Sequence, residues 1–269
     1  MFVVRKQGCD KPRIVQDFRA QNEASLPDRY LGKSIRECLT AAGLSKPTVF
    51  SCLDLTGAFH QLGLASQLRG WSAFKLPFLG LQFQWTRCPQ GLRGAPAPAS
   101  FSKLICLIFS GYQHVTTYVD DMLVTARDHD AMLLHSEEAM AELCLHGLKL
   151  NMKKCKYGFQ QINWLGFKTS GKGVQPDSSK VEHVGRMTPP TKVSEIKSQL
   201  AFFQFNAPMV EKIQWTMQPL QALTSPNSNW RSLARSRPLP EKAMKAWLEL
   251  KRILLSEPCI AWPDTSLPF

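Results

Sequence analysis

The stretch TYVDDMLV, residues 117–124, sets two adjacent aspartates between two β-rich runs, 115–119 and 122–125. Branched and aromatic side chains of this kind fit a pleated, half-buried surface, so the runs predict a hairpin with Asp120-Asp121 at its tip. The tip is the anomaly. A two-residue hairpin turn needs positive φ and normally takes Asn-Gly, Asp-Gly or Gly-Gly, whereas two neighbouring carboxylates repel each other and supply no glycine. A hairpin that keeps them implies a cation offsetting the charge. Asp-Asp pairs also occur in plain solvated turns, so the dipeptide by itself leaves that reading open.

Upstream, residues 49–55 form another β-rich run. Phe50, Cys52 and Asp54 share one face, and Val49, Ser51, Leu53 and Leu55 share the other. Asp54 is the only charged side chain between Lys46 and Arg69, with His60 counted as neutral. At the end of an apolar strand it must be paired, hydrogen-bonded or metal-bound. Three carboxylates near the ends of neighbouring strands in a basic protein match a phosphoryl-transfer site holding two Mg²⁺ ions about 3.5–4 Å apart. Capping of the following turn is the plainer role for Asp54.

Helical and extended patterns alternate around these strands. Residues 100–110 place Phe101, Leu104, Ile105, Ile108 and Phe109 on one helical stripe. Residues 130–146 predict a helix with Asp130 as N-cap, stopped at Gly147 with Leu148 where a Schellman ending wants an apolar residue. Strands are expected at 2–5 and 13–18, and a hairpin over 163–174 around Gly171-Lys172-Gly173. After Met187 and Pro189-Pro190 the chain reads as helices over 192–205 and 240–255, the second with proline in its first turn, separated by a loop over 225–240 rich in Pro, Ser and Arg. Strands mixed with helices, then helices alone, give an α+β class with a boundary near 175–190.

At 269 residues, 44% hydrophobic and 20% charged, the chain suits about two globular domains and excludes collagen-like, coiled-coil and wholly disordered classes. The strongly apolar stretch at 104–109 is far short of the roughly 20 residues that span a bilayer. Arg5 and Lys6 come too early for a signal peptide, so an intracellular protein, not secreted and without a membrane partner, is expected. Eight cysteines at irregular spacing, with no C-x-x-C pair, predict reduced thiols rather than a zinc knuckle or a disulfide framework. The net charge is +12, and residues 151–269 carry 17 of the 33 basic groups but 8 of the 21 acidic ones. Such a field favours polyanions, nucleic acid first.

The runs FSCLDLTGAFHQLGL (50–64), TRCPQGLRGAP (86–96), TYVDDMLV (117–124), GLKLNMKKCKYG (147–158) and NWLGF (163–167), in this order and at these distances, closely resemble the reverse transcriptases of long-terminal-repeat retroelements, the gypsy-type and retroviral branch. The opening KPRIVQDFRAQN (11–22) and the closing PDTSLPF (263–269) resemble the same polyproteins. The resemblance implies an α+β right-hand polymerase, with fingers and palm over 1–180 and the thumb and start of the connection region over 181–269. The implied activity is RNA-directed DNA polymerisation, with transfer from a dNTP to a primer 3′-hydroxyl on an RNA or DNA template.

Position by position, the resemblance makes Asp54, Asp120 and Asp121 the catalytic carboxylates. The resemblance implies two Mg²⁺ ions, with Mn²⁺ as an alternative, held chiefly by Asp54 and Asp120 with help from the Leu55 carbonyl, and Asp121 as a weaker ligand or a support behind them. Lys6 and Arg13 match residues that grip the incoming triphosphate, a fitting pair of point charge and planar fork. Phe59 matches an aromatic gate under the sugar that leaves no room for a 2′-hydroxyl. Gln90 and Gly91 match the loop against the incoming nucleotide, and Trp164, Leu165 and Gly166 match the primer grip. The implied partners are an RNA/DNA template–primer duplex, dNTPs and, in some members, a second copy in a homodimer. The implied location is a cytoplasmic particle or the nucleus.

The sequence also departs from the family. Further fingers residues usually precede the position of Met1, and GAPAPASF (94–101) has one Ala-Pro more than the usual run, placed at 97–98. Phe205-Asn206-Ala207-Pro208 replaces a tyrosine- and arginine-rich segment, and Pro208 should end the preceding helix early. The chain stops where an RNase H domain would begin. These departures suggest a piece of a larger polyprotein, or a catalytically inactive, degenerate or co-opted copy that binds nucleic acid.

Overall fold

The computed structural model describes residues 2–4, 13–26, 32–76, 79–92, 98–206, 213–225, 228, 238–256 and 261–262. The chain divides into two compact units, Met1–Phe159 and Gln160–Phe269. The change of character at Pro189-Pro190 falls inside the second.

The first unit opens with β1 (Phe2–Val4) and β2 (Arg13–Val15), an antiparallel pair in the register Val4↔Arg13. Next come α1 (Arg19–Glu23) and α2 (Ile35–Gly43). A capping box starts α2: the Glu37 N–H donates to Ser34 Oγ (3.2 Å) and the Ser34 N–H to the Glu37 carboxylate (2.6 Å). Then follow β3 (Val49–Asp54), a 3₁₀ turn (Ala58–Gln61), α3 (Ser66–Arg69), a second 3₁₀ turn (Gly70–Ser72) and the small hairpin β4 (Phe74–Leu76) and β5 (Leu81–Phe83). The unit closes with α4 (Pro98–Ile108), β6 (Val115–Tyr118), β7 (Asp121–Ala126), α5 (His129–Leu145) and β8 (Lys156–Phe159).

Its central sheet has the order β6-β7-β3-β8, antiparallel throughout. The alternation in β3 sorts as the two-residue period predicts. Val49 and Leu53 join Phe101 and Ile105 of α4 and Met132, Ala139 and Leu143 of α5 in one core, and Ser51 Oγ reaches Met132 Sδ at 3.0 Å. Phe101 and Ile105 are fully buried, and burial of side chains this size stabilises by about 1.5–3 kcal/mol each.

Helix α5 ends as its sequence predicts. Gly147 sits at φ +69°, the Leu148 N–H donates to the Leu143 carbonyl (2.9 Å) and the Gly147 N–H to the Cys144 carbonyl (2.9 Å), which is the Schellman pattern. Its start differs. Asp128, not Asp130, is the N-cap, accepting from the Ala131 N–H at 2.8 Å, and Asp130 lies in the first turn, where its charge still complements the helix dipole.

In the second unit β9 (Gln161–Trp164), β10 (Phe167–Ser170) and β11 (Gly173–Pro176) form an antiparallel sheet in the order β11-β10-β9. The single hairpin expected over 163–174 is thus two hairpins sharing β10. Among the described residues four helices follow: α6 (Ser178–Arg186), α7 (Val193–Phe205), α8 (Ile213–Leu223) and α9 (Glu241–Leu255). Their apolar faces meet in a core that includes Val184, Ile196, Phe203, Met217, Leu220, Trp247 and Leu250. Pro240 is the N-cap of α9 rather than a residue of its first turn. Helix α7 stops at Phe205; Pro208 lies outside the described residues, as do residues 263–269 and most of the 225–240 loop.

Candidate active site

Strand β3 pairs with β7 so that Asp54 stands opposite Asp121, and Tyr118 of β6 stands opposite Asp121 on its other side. The hairpin turn between β6 and β7 is therefore Val119-Asp120. This corrects the expectation of Asp120-Asp121 at the tip: Asp121 is the first residue of β7, and its register partner on β3 fixes the slip. Val119 takes φ +56°, a left-handed conformation that costs a β-branched residue energy. The resulting arrangement puts Asp54 and Asp121 on adjacent strand ends and Asp120, exposed, in the turn beside them.

The electrostatics follow from this crowding. Desolvation first, then the charges of Asp120 and Asp54, hold the Asp121 carboxyl above the ordinary carboxylate range. Lys154 Nζ lies 3.8 Å from Asp54 Oδ2. The segment carrying Lys154 is tied to the strand end, since the Asn151 N–H donates to the Asp54 carbonyl (2.8 Å) and the Asp54 N–H to Cys155 Sγ (3.3 Å). Behind them, burial and then the Asp121 charge push the Cys52 thiol up to about 12. The six described cysteines, Cys38, Cys52, Cys88, Cys106, Cys144 and Cys155, are free.

The donor set suits a hard divalent cation. Magnesium is typically held by one or two carboxylates plus substrate phosphates rather than by an all-protein cage. Among the described residues no group of three His, Cys, Asp or Glu is placed to hold a metal ion by itself, and the charges of Asp120 and Asp54 crowd the Asp121 carboxyl. Leu55 follows Asp54 directly in the chain. Leu55 forms an isolated bridge with Leu150, whose ladder bonds belong to Thr56 and Asp54.

Phe59 lies in the 3₁₀ turn just after β3, half-buried, edge-on to Phe101 with ring centroids 5.7 Å apart. Gln90 and Gly91 are exposed in a turn where Gly91 has φ +96°. Asn22 Nδ2 donates to the Gly91 carbonyl (2.8 Å), and buried Cys88 and Leu92 anchor the turn on either side. Arg13 is known by its backbone in β2; its side chain, all of Lys6 and residues 93–97 lie outside the described residues.

Trp164, Leu165 and Gly166 belong to the second unit, where they form the tight turn between β9 and β10. Leu165 and Gly166 both have positive φ, +50° and +74°, as a type I′ turn requires. Trp164 is buried, so Leu165 and Gly166 are the members that reach the surface. Lys180 of α6 donates to the Gly166 carbonyl at 2.5 Å, with its ammonium 3.9 Å from the Phe205 ring and 4.6 Å from the Phe167 ring. The sequence reading passes over Lys154 and Lys180, because each acquires its partner through the fold. The lysines at 153, 154 and 156, inside the motif GLKLNMKKCKYG, are the one signal for the first.

Residues 4–169 match the family model described as reverse transcriptase (RNA-dependent DNA polymerase). The chain is 30% identical over 273 residues to the retrovirus-related Pol polyprotein from transposon opus of Drosophila melanogaster, covering 98% of this chain and 26% of that protein. It is 27% identical to the Pol polyprotein from transposon gypsy of the same fly, covering 100% and 26%. With the transposon Tf2-3 polyprotein of Schizosaccharomyces pombe it shares 25% identity over 99% of this chain and 19% of that one. The chain thus spans about a quarter or less of the length of these relatives.

Among solved structures, the foamy viral protease-reverse transcriptase in complex with dsDNA aligns with a TM-score of 0.82 at 23% identity, over 99% of this chain and 53% of that one. The same viral protein in complex with RNA/DNA hybrid aligns with a TM-score of 0.77 at 22% identity, over 96% and 34%. The α+β fold is that of these polymerases. No helix among the described residues is long and apolar enough to cross a membrane.

Proposed function

Because the chain belongs to the reverse transcriptase (RNA-dependent DNA polymerase) family, we propose that it is the polymerase core of an LTR-retroelement Pol polyprotein, extending a primer on an RNA or DNA template. The observation that carries this reading is the register pair Asp54↔Asp121 with Asp120 in the adjoining turn. Such an arrangement concentrates negative charge where a phosphoryl-transfer reaction needs divalent cations.

In this reading Asp54, Asp120 and Asp121 hold two Mg²⁺ ions, or Mn²⁺ in their place, and the Leu55 carbonyl offers a further oxygen. Metal held there would supply Lewis acidity, which would make the primer 3′-hydroxyl a better nucleophile and offset charge on the α-phosphate and the departing pyrophosphate. The protein's own work is positioning. Lys6 and Arg13 grip the triphosphate by charge. Gln90 and the Gly91 backbone lie against the nucleotide, glycine allowing the close approach. The Phe59 ring occupies the space a 2′-hydroxyl would need. Leu165 and Gly166, supported by Trp164, present the primer end.

Residues 1–180 then serve as fingers and palm and 181–269 as thumb and the start of a connection. The net charge of +12 supports binding to a template–primer duplex, as does the likeness to viral enzymes solved with dsDNA and RNA/DNA hybrid.

Primer extension on an RNA template with Mg²⁺ and dNTPs, run beside Asp120→Asn, tests the reading. Extension by the wild type and none by the variant is expected. A folded wild type that binds the duplex in a salt-sensitive manner yet extends no primer would replace this reading with that of a nucleic-acid-binding protein that has lost its chemistry.

A further inference from the structure

Two residues beyond Phe59, Gln61 takes no part in the scheme above, yet its hydrogen bonds reach several pieces of the site. Its side-chain amide acts as an extra rung of sheet: Nε2 donates to the Lys149 carbonyl (3.0 Å) and Oε1 accepts from the Lys149 N–H (2.6 Å). The same Nε2 donates to the Thr56 carbonyl at 2.8 Å. Lys149 is in turn tied to the strand end, since its carbonyl also accepts from the Thr56 N–H (2.9 Å). On the main-chain side, the Gln61 carbonyl accepts from the Arg87 guanidinium (2.9 Å), three residues before Gln90.

Between Leu55 and Gln61 the chain reverses tightly. Gly57 is left-handed at φ +55°, and the 3₁₀ turn that carries Phe59 is closed by the His60 N–H on the Gly57 carbonyl (2.8 Å). Hydrogen-bond geometry in a 3₁₀ turn is poor, so what pins its two ends governs where its side chains stand. The Gln61 amide does the pinning: it holds the exit of the turn to Thr56 at the entry and to Lys149 beside it.

We infer that Gln61 is a positioning residue for sugar discrimination. Its amide fixes the Phe59 ring relative to the Asp54–Leu55 strand end, and thereby excludes the 2′-hydroxyl. This rests on the reading of Phe59 as the sugar gate. The chemistry explains the choice of residue, because a neutral amide supplies a donor and an acceptor at once. A carboxylate in its place would face the Thr56 and Lys149 carbonyls with no proton to give, and would regain a donor only when protonated.

The test uses the full chain on a primer–template duplex whose primer ends in a 3′-dideoxy residue, so that nucleotide binding is read without turnover. Affinities for a dNTP and for the matching rNTP are compared, with Mg²⁺, in the wild type, Gln61→Met, Gln61→Glu and Phe59→Val, with folding followed by thermal melting. Gln61→Met is expected to narrow the preference for the deoxynucleotide about tenfold, a loss of about 1.4 kcal/mol of discrimination. Gln61→Glu should narrow it at about pH 8 and recover part of it at about pH 6, while the wild-type preference stays flat.

An unchanged preference in folded Gln61→Met, with Phe59→Val losing it, overturns the role of Gln61 and leaves the gate standing. A preference that survives Phe59→Val, or that the wild type lacks, overturns the gate and this inference with it. If Gln61→Met does not fold, the pH profile of Gln61→Glu decides, and a flat profile overturns the inference.

Discussion

The Lys154 ammonium lies 3.8 Å from the Asp54 carboxylate, on a side chain that is 61% exposed, and so sets a counter-charge against a residue read as a metal ligand. An exposed pair of this kind contributes about 0–1 kcal/mol. Lys154→Met should therefore melt close to the wild type. Its larger effect should be on divalent-cation binding, since the ammonium competes for the same carboxylate. Added Mg²⁺ should raise the melting temperature more in Lys154→Met than in the wild type, and not at all in Asp54→Asn. Equal shifts in all three would mean that Mg²⁺ does not bind at Asp54.

Val119 holds φ +56° immediately ahead of Asp120. Asparagine tolerates this conformation far better than valine. Val119→Asn should therefore gain about 1 kcal/mol of stability, read as a higher urea midpoint at unchanged slope. If the strain helps set Asp120, primer extension should slow in the same variant, the usual exchange of stability against function. A lower midpoint would show that the valine side chain contributes more by packing than its backbone costs.

The site was partly legible. The alternation of 49–55 and the Gly147-Leu148 stop depend on local periodicity and on one glycine, and both stand in the structure as read. The hairpin tip stands one residue earlier than the local pattern suggests, because its register is set by Asp54, far away in sequence, and a one-residue slip leaves the local pattern equally plausible. Helix α2 has only its capping box, Ser34 and Glu37, to mark it in the sequence. Helix α8 was hidden by Pro219 inside it; burial of Ile213, Met217 and Leu220 overrides what proline costs. The roles of Lys154, Gln61 and Lys180 lie in backbone groups that only the fold brings to them.

Gly166 has φ +74°, and a Cβ there would stand 2.6 Å from Lys180 Nζ. Gly166→Ala thus meets two penalties: the left-handed backbone, and displacement of an ammonium that bonds the Gly166 carbonyl and lies over Phe205. A loss of about 2 kcal/mol is expected, read from chemical denaturation. Lys180→Met keeps the apolar stem and removes the ammonium. If the clash is real, the double variant should lose less than the two single losses added together. Strict additivity would assign the whole cost of Gly166→Ala to its backbone.

His114 and His135 stack at 3.9 Å with their planes 16° apart, where the base of the β6–β7 hairpin meets α5. His135 Nδ1 is 2.8 Å from the Thr125 carbonyl, His114 Nε2 is 3.3 Å from Glu138 of α5, and Tyr112 meets the His114 ring edge-on while donating to Glu142 (3.1 Å). Burial first, then the neighbouring His135, lower His114 below its ordinary 6.5, with Glu138 opposing. A base whose pKa is depressed by folding binds fewer protons in the native state than in the unfolded chain. Its contribution is therefore fully present above pH 6.5 and is lost as the pH falls from 6.5 towards the lower native value. The melting temperature should decline on acidification through this window, and the decline should be shallower in His114→Phe, which keeps a stacked ring but cannot titrate. An equally steep decline in the variant would place the acid sensitivity elsewhere in the chain.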